Sequence, residues 1–235
     1  MAERAWQLVL DHIERDLLDA RLGPGDRLPS ERDLASELGV GRSSVREAFR
    51  VLEVLGLIRT STGSGPSAGA IVIATPSGGL SALMRLQVAA QGFPLGDVVR
   101  TRLVLEEAVA ASLAEQPGRD LTDAHRILDA MDTPGLTAGE FLALDARLHL
   151  ALAESSGNTV ITATMAGLRT AIESYVFAGS AQIDDWDAMA ARLRAEHREI
   201  VAAIDEGDAD AARTLVHDHI TGYYTAAGLT PGDHD

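Results

Sequence analysis

The spacing of apolar residues predicts a run of short elements followed by a run of long ones. Trp6, Leu10, Ile13, Leu17 and Leu18 recur at helical intervals, so an amphipathic helix is expected over residues 4–19. Leu22-Gly23-Pro24-Gly25-Asp26 breaks it. Ser30 then stands three residues before Asp33, a variant of the capping box in which the serine oxygen accepts a backbone N–H at the opening of a new helix. That helix runs to Leu38, where Gly39 closes it, and another is expected over 42–55, before Gly56. Residues 57–60 and 70–74 read as two short strands, the second carrying Ile71, Val72 and Ile73. Residues 61–69 between them are too rich in Gly, Ser and Pro for a helix and read as a flexible hairpin loop, or wing.

A second Pro/Gly stretch, Pro76-Ser77-Gly78-Gly79, is the expected domain boundary. Everything beyond it reads as helix, over about 80–91, 95–115, 119–131, 137–154, 159–178, 184–206 and 208–227. The expected fold class is mainly α: a winged helix-turn-helix over 1–75, a linker over 76–79, an all-helical antiparallel bundle over 80–227 and a tail over 228–235. The scarcity of aromatics, 4%, and the abundance of Ala and Leu agree with that class, because neither residue loses much freedom on entering a helix.

There is no cysteine, which excludes disulfides, Cys₄ zinc sites and thiol chemistry. The start of the chain is acidic and amphipathic, unlike a signal sequence, and no eighteen consecutive residues are apolar, so no membrane partner and a cytoplasmic location are expected. The net charge of −15, taken whole, argues against nucleic acid, but it is unevenly spread. Residues 1–75 hold 9 Arg against 11 acids and residues 42–59 hold 4 Arg against 2 Glu, which leaves most of the negative charge to the helical half. Affinity for DNA depends on phosphates met by local cations.

The two helices joined by Gly39-Val40-Gly41 and followed by a hairpin have the spacing of a helix-turn-helix with a wing, whose second helix enters the major groove. Arg42, Arg46 and Arg50 repeat every four residues on one face of it, and Val45, Phe49, Leu52 and Leu55 hold the other to the scaffold. An arginine fork suits that task, each bidentate base contact giving ~1–3 kcal/mol of discrimination. An arginine stripe by itself is also a common solvated surface, on which Glu47 and Glu53 could simply pair with it.

The stretch Leu-Gly-Pro-Gly-Asp-Arg-Leu-Pro-Ser-Glu-Arg-Asp-Leu-Ala-Ser-Glu-Leu-Gly-Val-Gly-Arg-Ser-Ser-Val-Arg-Glu-Ala-Phe-Arg-Val-Leu-Glu-Val-Leu-Gly-Leu-Ile-Arg, residues 22–59, closely resembles the N-terminal domain of the GntR superfamily. The resemblance implies that Arg32, Arg42 and Arg46 contact phosphates and bases and that Gly63 and Gly65 form the wing tip. The full DNA-contacting set expected is Arg32, Arg42, Ser43, Ser44, Arg46, Arg50, Gly63 and Gly65. Gly41 stands where such proteins usually carry Ser or Thr, a change that typically costs a cap only a few tenths of a kcal/mol. The wing also lacks a basic residue.

In the helical half, Asp145 and His149 are four residues apart and point from one helix face, at the edge of the stripe Phe141, Leu144, Leu148 and Leu152. His197, and either His217 or His219, could join them from two further helices. Three imidazoles and a carboxylate meeting inside a bundle suit a divalent metal, although one Asp-x₃-His pair is more often a surface hydrogen bond. Arg102-Leu-Val-Leu-Glu106, Asp145-x₃-His149 with Glu154-Ser-Ser-Gly-Asn158, Glu196-His197-Arg198, and Gly207-Asp208 leading to His219-Ile220 resemble the FadR subfamily and its effector-binding and dimerisation domain, FCD. The resemblance implies a metal set of Asp145, His149, His197 and His219, with Arg102 neutralising the carboxylate of an effector. His217 is two residues out of register, a rotation of about 200° on a helix.

Three neutral imidazoles and one carboxylate around a divalent ion give the site a charge near +1, and Arg102 adds another, so an organic anion is attracted even within an acidic domain. Zinc, nickel and manganese are the candidate cofactors. The function expected is a ligand-responsive repressor that binds a palindromic double-stranded operator as a homodimer and is released by a small carboxylate. Two alternatives are a metal that only staples the bundle and, more remotely, a metal hydrolase using Glu196 or Glu106 as its base. A winged domain would have no purpose in a hydrolase, so no enzymatic activity is expected.

Overall fold

The computed structural model describes residues 4–61, 69–73, 76–90 and 92–229, and it divides into two compact units, Met1–Ala82 and Leu83–Asp235. Gly63 and Gly65 lie outside the described residues.

The first unit is built from α1 (Ala5–Leu18), α2 (Glu31–Leu38), α3 (Arg42–Val54) and the antiparallel pair β1 (Ile58–Ser61) and β2 (Gly69–Val72), in which Ile58 faces Val72 and Ser61 faces Gly69. On α1 the fully buried residues are Val9 and Ile13, with Trp6, Leu10 and Leu17 packed beside them. Leu18, expected on that face, is 78% exposed, because on the helix it lies about 140° round from the buried Ile13 while Leu17 lies only about 40° from it. Leu55 likewise leaves the α3 stripe, where Ala48 joins Val45, Phe49 and Leu52 as the buried set. β1 lies one residue later than the expected 57–60, and β2 begins one residue before and ends two residues before the expected 70–74. The breaker after α1 also has a structural role, since residues 25–28 pair with β2 through Gly25 N to Val72 O, Val72 N to Asp26 O and Leu28 N to Ala70 O.

Ser30 caps α2 by accepting from Asp33 N at 3.2 Å, and Gly39 ends the helix at φ 65°, a left-handed conformation that glycine adopts without a Cβ penalty. Gly41 caps α3 with no side-chain bond.

α4 (Pro76–Ala89) begins inside the segment read as a linker. Proline is accepted at a first helical position, where its missing N–H would have had no partner. Gly79 marks a close approach: a Cβ there would lie 2.1 Å from the Leu55 carbonyl oxygen. Proline and glycine therefore stand here for helix initiation and tight packing, two uses that look the same in sequence as a flexible joint.

The second unit contains α5 (Leu95–Glu115), α6 (Thr122–Met131), α7 (Ala138–Ser155), α8 (Thr159–Ser180), α9 (Trp186–Glu206) and α10 (Ala209–Ala226). α5 packs on α10, α9 and α7, and α7 packs on α6 and α8. The helices are individually punctuated: Thr137 and Glu140 form a reciprocal capping box on α7, Asp185 caps α9, Gly207 ends it at φ 80°, and Asp208 caps α10. α7 is buried on nearly every side, from Phe141 and Leu142 through Leu148 and Leu150 to Ala153. The Asp145–His149 pair thus lies within the core, where the sequence reading placed it at the edge of a stripe. A helix surrounded by other helices loses its polar face, and with it the periodicity that marks one.

Candidate functional site

The first unit presents the arginine face of α3. Arg32, Arg42, Arg46 and Arg50 are all exposed, as is Ser43, while Ser44 is partly buried near the α3 start. Sequence reasoning missed their carboxylate partner. Arg46 donates to Glu31 twice, Nη2 to Oε2 at 2.8 Å and Nε to Oε1 at 3.2 Å, and Arg42 Nη2 lies 3.9 Å from the same Glu31 Oε2. Glu31 opens α2, so the pair spans the turn. The hydrogen bond from Arg46 lowers the Glu31 pKa most, against the effect of burial. Glu53, thought of as an arginine partner, instead accepts from Thr60 N (3.0 Å) and Thr60 Oγ1 (2.6 Å) and ties the end of α3 to β1. A groove of about 410 Å³ runs between these elements, lined by Glu31, Arg46, Arg50, Glu53 and Thr60 among others.

In the second unit three helices bring Asp145, His149, His197 and His219 together, all buried, with their donor atoms within 4.8 Å of one another. Asp145 Oδ1 lies 3.0 Å from His197 Nε2, 3.8 Å from His219 Nε2 and 3.9 Å from His149 Nε2, and the Nε2 atoms of His149 and His219 are 3.3 Å apart. Bonds of about 2.1 Å from one ion, separated by 90–110°, place neighbouring donors about 3.0–3.4 Å apart. The cluster is close to that spacing, and its donors are of the nitrogen and oxygen types that divalent transition metals take.

The far sides of two of the rings strengthen the fit. His149 Nδ1 meets Glu106 Oε2 at 2.5 Å, and His219 Nδ1 meets Glu196 Oε2 at 2.9 Å. A carboxylate on Nδ1 fixes the proton there and leaves the Nε2 lone pair facing the cluster, the arrangement found behind metal-bound histidines. Among the described residues His197 Nδ1 is buried with no hydrogen-bond partner, and the Glu106 Oε2 contact to His149 is a close ion-pair approach outside hydrogen-bond geometry. His217 stands elsewhere, exposed and 2.8 Å from Glu107.

Electrostatics follow from burial and proximity. Burial works to raise the Asp145 carboxyl pKa, but the hydrogen bond to His197 and the three neighbouring rings outweigh it and hold the group well below the usual carboxylate range. Burial, then the proximity of His197 and His149, pushes His219 well below its ordinary value, so the ring stays neutral and able to ligate. Burial raises Glu196, with Arg192 opposing it.

Arg102 is buried, at 4% exposure, and Nε donates to Glu106 Oε1 at 2.6 Å. Burial would raise the Glu106 pKa, but Arg102 first and His149 second hold it at about 2. The Tyr224 hydroxyl is buried beside the same guanidinium. A cavity of only about 20 Å³ adjoins Arg102, Glu106 and His149, lined further by Ala146, Leu150, Met165, Ile172 and a second arginine, Arg169, that pairs with Glu173 at 2.6 Å. Neither Arg169 nor Tyr224 carries a sequence signal, since both lie on long helices without a motif.

A recognition helix with its wing strands, joined in one chain to a helical unit with a buried polar cluster, defines a DNA-binding transcription regulator. Residues 7–66 match the gntR family of bacterial regulatory proteins and residues 97–222, more than half the chain, match the FCD domain. The chain belongs to the GntR family and carries an FCD domain. It is 30% identical over 214 residues to the HTH-type transcriptional regulator LutR of Bacillus subtilis, covering 86% of this chain and 92% of that one. It is 27% identical over 222 residues to the Glc operon transcriptional activator of Escherichia coli K12, covering 91% and 85%. The solved structure of a Streptococcus agalactiae GntR superposes with a TM-score of 0.62 at 25% identity, over 94% of this chain and 99% of that one. Domains and relatives alike are those of a regulator and not of an enzyme. Among the described residues no helix is long and apolar enough to cross a membrane.

Proposed function

We propose that this regulator binds a palindromic operator as a homodimer, represses from it, and is released when a small organic acid binds at a divalent metal held by Asp145, His149, His197 and His219. The observation that carries the reading is the set of three imidazole nitrogens and one carboxylate oxygen converging inside the bundle. When bound, the metal supplies a cationic centre with coordination positions left over for carboxylate or hydroxyl oxygens. Asp145 contributes the one negative charge, and Glu106 and Glu196 orient two of the rings. Arg102 adds the guanidinium that a carboxylate favours for its fork geometry. Arg32, Arg42, Ser43, Ser44, Arg46, Arg50 and the wing glycines Gly63 and Gly65 make up the DNA surface. Zinc, nickel and manganese all suit the donor set.

A second reading, in which the metal only staples the bundle, draws support from the Arg102–Glu106 pair and the small cavity beside it, because the guanidinium already has a carboxylate. Melting temperatures of the metal-free protein, the protein reloaded with Zn²⁺, Ni²⁺ or Mn²⁺, and the loaded protein with added organic acids separate the two. Stabilisation by metal followed by further stabilisation by an acid, with loss of operator binding in a bandshift, supports the effector reading. Stabilisation by metal alone leaves the staple.

A further inference from the structure

The helical unit contains a carboxylate placed where an incoming one would go. Glu106 offers one oxygen to Arg102 Nε at 2.6 Å and the other to His149 Nδ1 at 2.5 Å, and it is 4% exposed. Arg102 and Glu106 are four residues apart on α5, so they share a face, while His149 comes from α7. Glu106 therefore bridges the arginine of the acid pocket and a ring of the metal cluster. Its charge is divided between them, and in so buried a place that division matters more than it would at the surface.

Two consequences follow from elementary electrostatics. A carboxylate on the far side of a ligating imidazole makes that imidazole a better donor, and removing such a partner typically weakens metal binding about 10–100-fold. A carboxylate already seated on a guanidinium also competes with any other for its fork. The cavity of about 20 Å³ beside this pair has room for little more than a water, so an acid reaches Arg102 only if a lining side chain gives way, and Glu106 is the one bonded to the guanidinium, through Nε.

We infer that Glu106 is the positioning residue that couples the two halves of this pocket: an organic carboxylate takes Arg102 from Glu106, and the charge so released falls on His149 and tightens the metal. This rests on the reading of the pocket as a metal and acid site. By linkage, metal and acid then bind cooperatively, each strengthening the other by the same factor.

The test uses the full-length, metal-free protein and Zn²⁺ affinity measured by chelator competition. Glu106→Gln keeps the shape and removes the charge, and it weakens Zn²⁺ binding about 10–100-fold. Arg102→Gln gives Glu106 wholly to His149 and tightens Zn²⁺. Arg102→Lys, which keeps a buried cation should the glutamine variant not fold, shifts affinity in the same direction by less. Opposite signs for the two positions are the signature, since damage to packing would weaken metal in both. If Glu106→Gln leaves Zn²⁺ affinity within about threefold, or if the Arg102 variants leave it unchanged or weaken it, the coupling is wrong.

Glycolate, the smallest acid able to chelate through carboxylate and hydroxyl, is the second probe. The wild type is expected to bind Zn²⁺ several-fold more tightly with glycolate present, and Glu106→Gln to lose most of that gain. An equal gain in both proteins overturns the coupling and leaves the effector reading intact. Absence of any glycolate effect on the wild type, with the opposite signs of the Zn²⁺ arm retained, counts against acids of this size as effectors and upholds the position of Glu106 between Arg102 and His149.

Discussion

Arg46 and Glu31 meet fork to fork across the turn of the helix-turn-helix, with donor–acceptor distances of 2.8 and 3.2 Å, while the arginine side chain remains 53% exposed. This exposed guanidinium of α3 is thus aimed by an acid of the preceding helix, which also cancels part of its charge. Placement of this kind limits which base edges a guanidinium can reach.

Arg46→Ala is expected to abolish discrimination between operator and random duplex while leaving metal content unchanged, and to reduce the salt dependence of binding by about 1 per subunit. Glu31→Gln should act in the opposite way on random DNA, binding it more tightly because a negative charge has gone, with discrimination reduced because the fork is no longer held. Fluorescence anisotropy on both duplexes over a range of salt reads both effects. An Arg46→Ala protein that still prefers its operator contradicts the assignment of α3 as the reading helix.

His197 has no exposed surface and sits 3.0 Å from Asp145, so truncating it removes a central donor. His197→Ala should purify without a divalent ion and keep its affinity for DNA. Chelation should lower the wild-type melting temperature and Zn²⁺ or Ni²⁺ restore it, a ligand at a hundred times its Kd adding about 2.7 kcal/mol. The His197→Ala protein should show neither response. Metal analysis and melting curves that match between the two proteins would remove the metal centre from the account.

The winged unit should weaken in acid. The Glu31 carboxyl is held below its ordinary value of 4.5 chiefly by Arg46, and that of Glu53 chiefly by Thr60. Because both folded-state values are depressed, the stabilisation is fully present above about pH 4.5 and is lost as pH falls through the lower folded values. The chain has two tryptophans, Trp6 in α1 and Trp186 in α9, so a Trp186→Phe protein reports on the winged unit alone. Its denaturation midpoint is expected to be level from pH 7 to 5 and to fall below that, with a shallower fall in Glu53→Gln. A midpoint independent of pH down to 3 is the contrary result.

Gly39 turns the chain between the two helices at φ 65°, and a Cβ built there meets nothing within 4 Å. The cost of Gly39→Ala is therefore one of backbone conformation alone, about 1–2 kcal/mol. Ser30→Ala, which removes the α2 cap, should cost about 1 kcal/mol. Urea denaturation followed through Trp6 measures both. A Gly39→Ala protein as stable as the wild type would mean that the left-handed turn is not required.

The elements legible in sequence are those fixed by local rules. Ser30, Gly39 and Gly207 mark helix ends because a cap oxygen or a left-handed residue is needed at one particular place, and the structure uses each in that way. The arginines of α3 were visible because their period matches the helix. Less legible were residues whose role depends on another part of the chain. Glu31 and Glu53 look like any surface acids until α2 and β1 are brought beside α3. Gly79 reads as flexible until Leu55 is found against it.

Sequence by itself settled the fold class, the arginine face of α3, and the pairing of Asp145 with His149 on one helix face. Spacing along a helix determines which side chains share a face, and that much needs no knowledge of packing. The resemblance implied the set Asp145, His149, His197 and His219, and helical register set His217 aside; only the tertiary structure brought the four together in space and placed Glu106 between Arg102 and His149. Those are contacts between helices up to about a hundred residues apart in the chain, and they are set by how apolar faces pack, which fixes rotations that no local pattern contains.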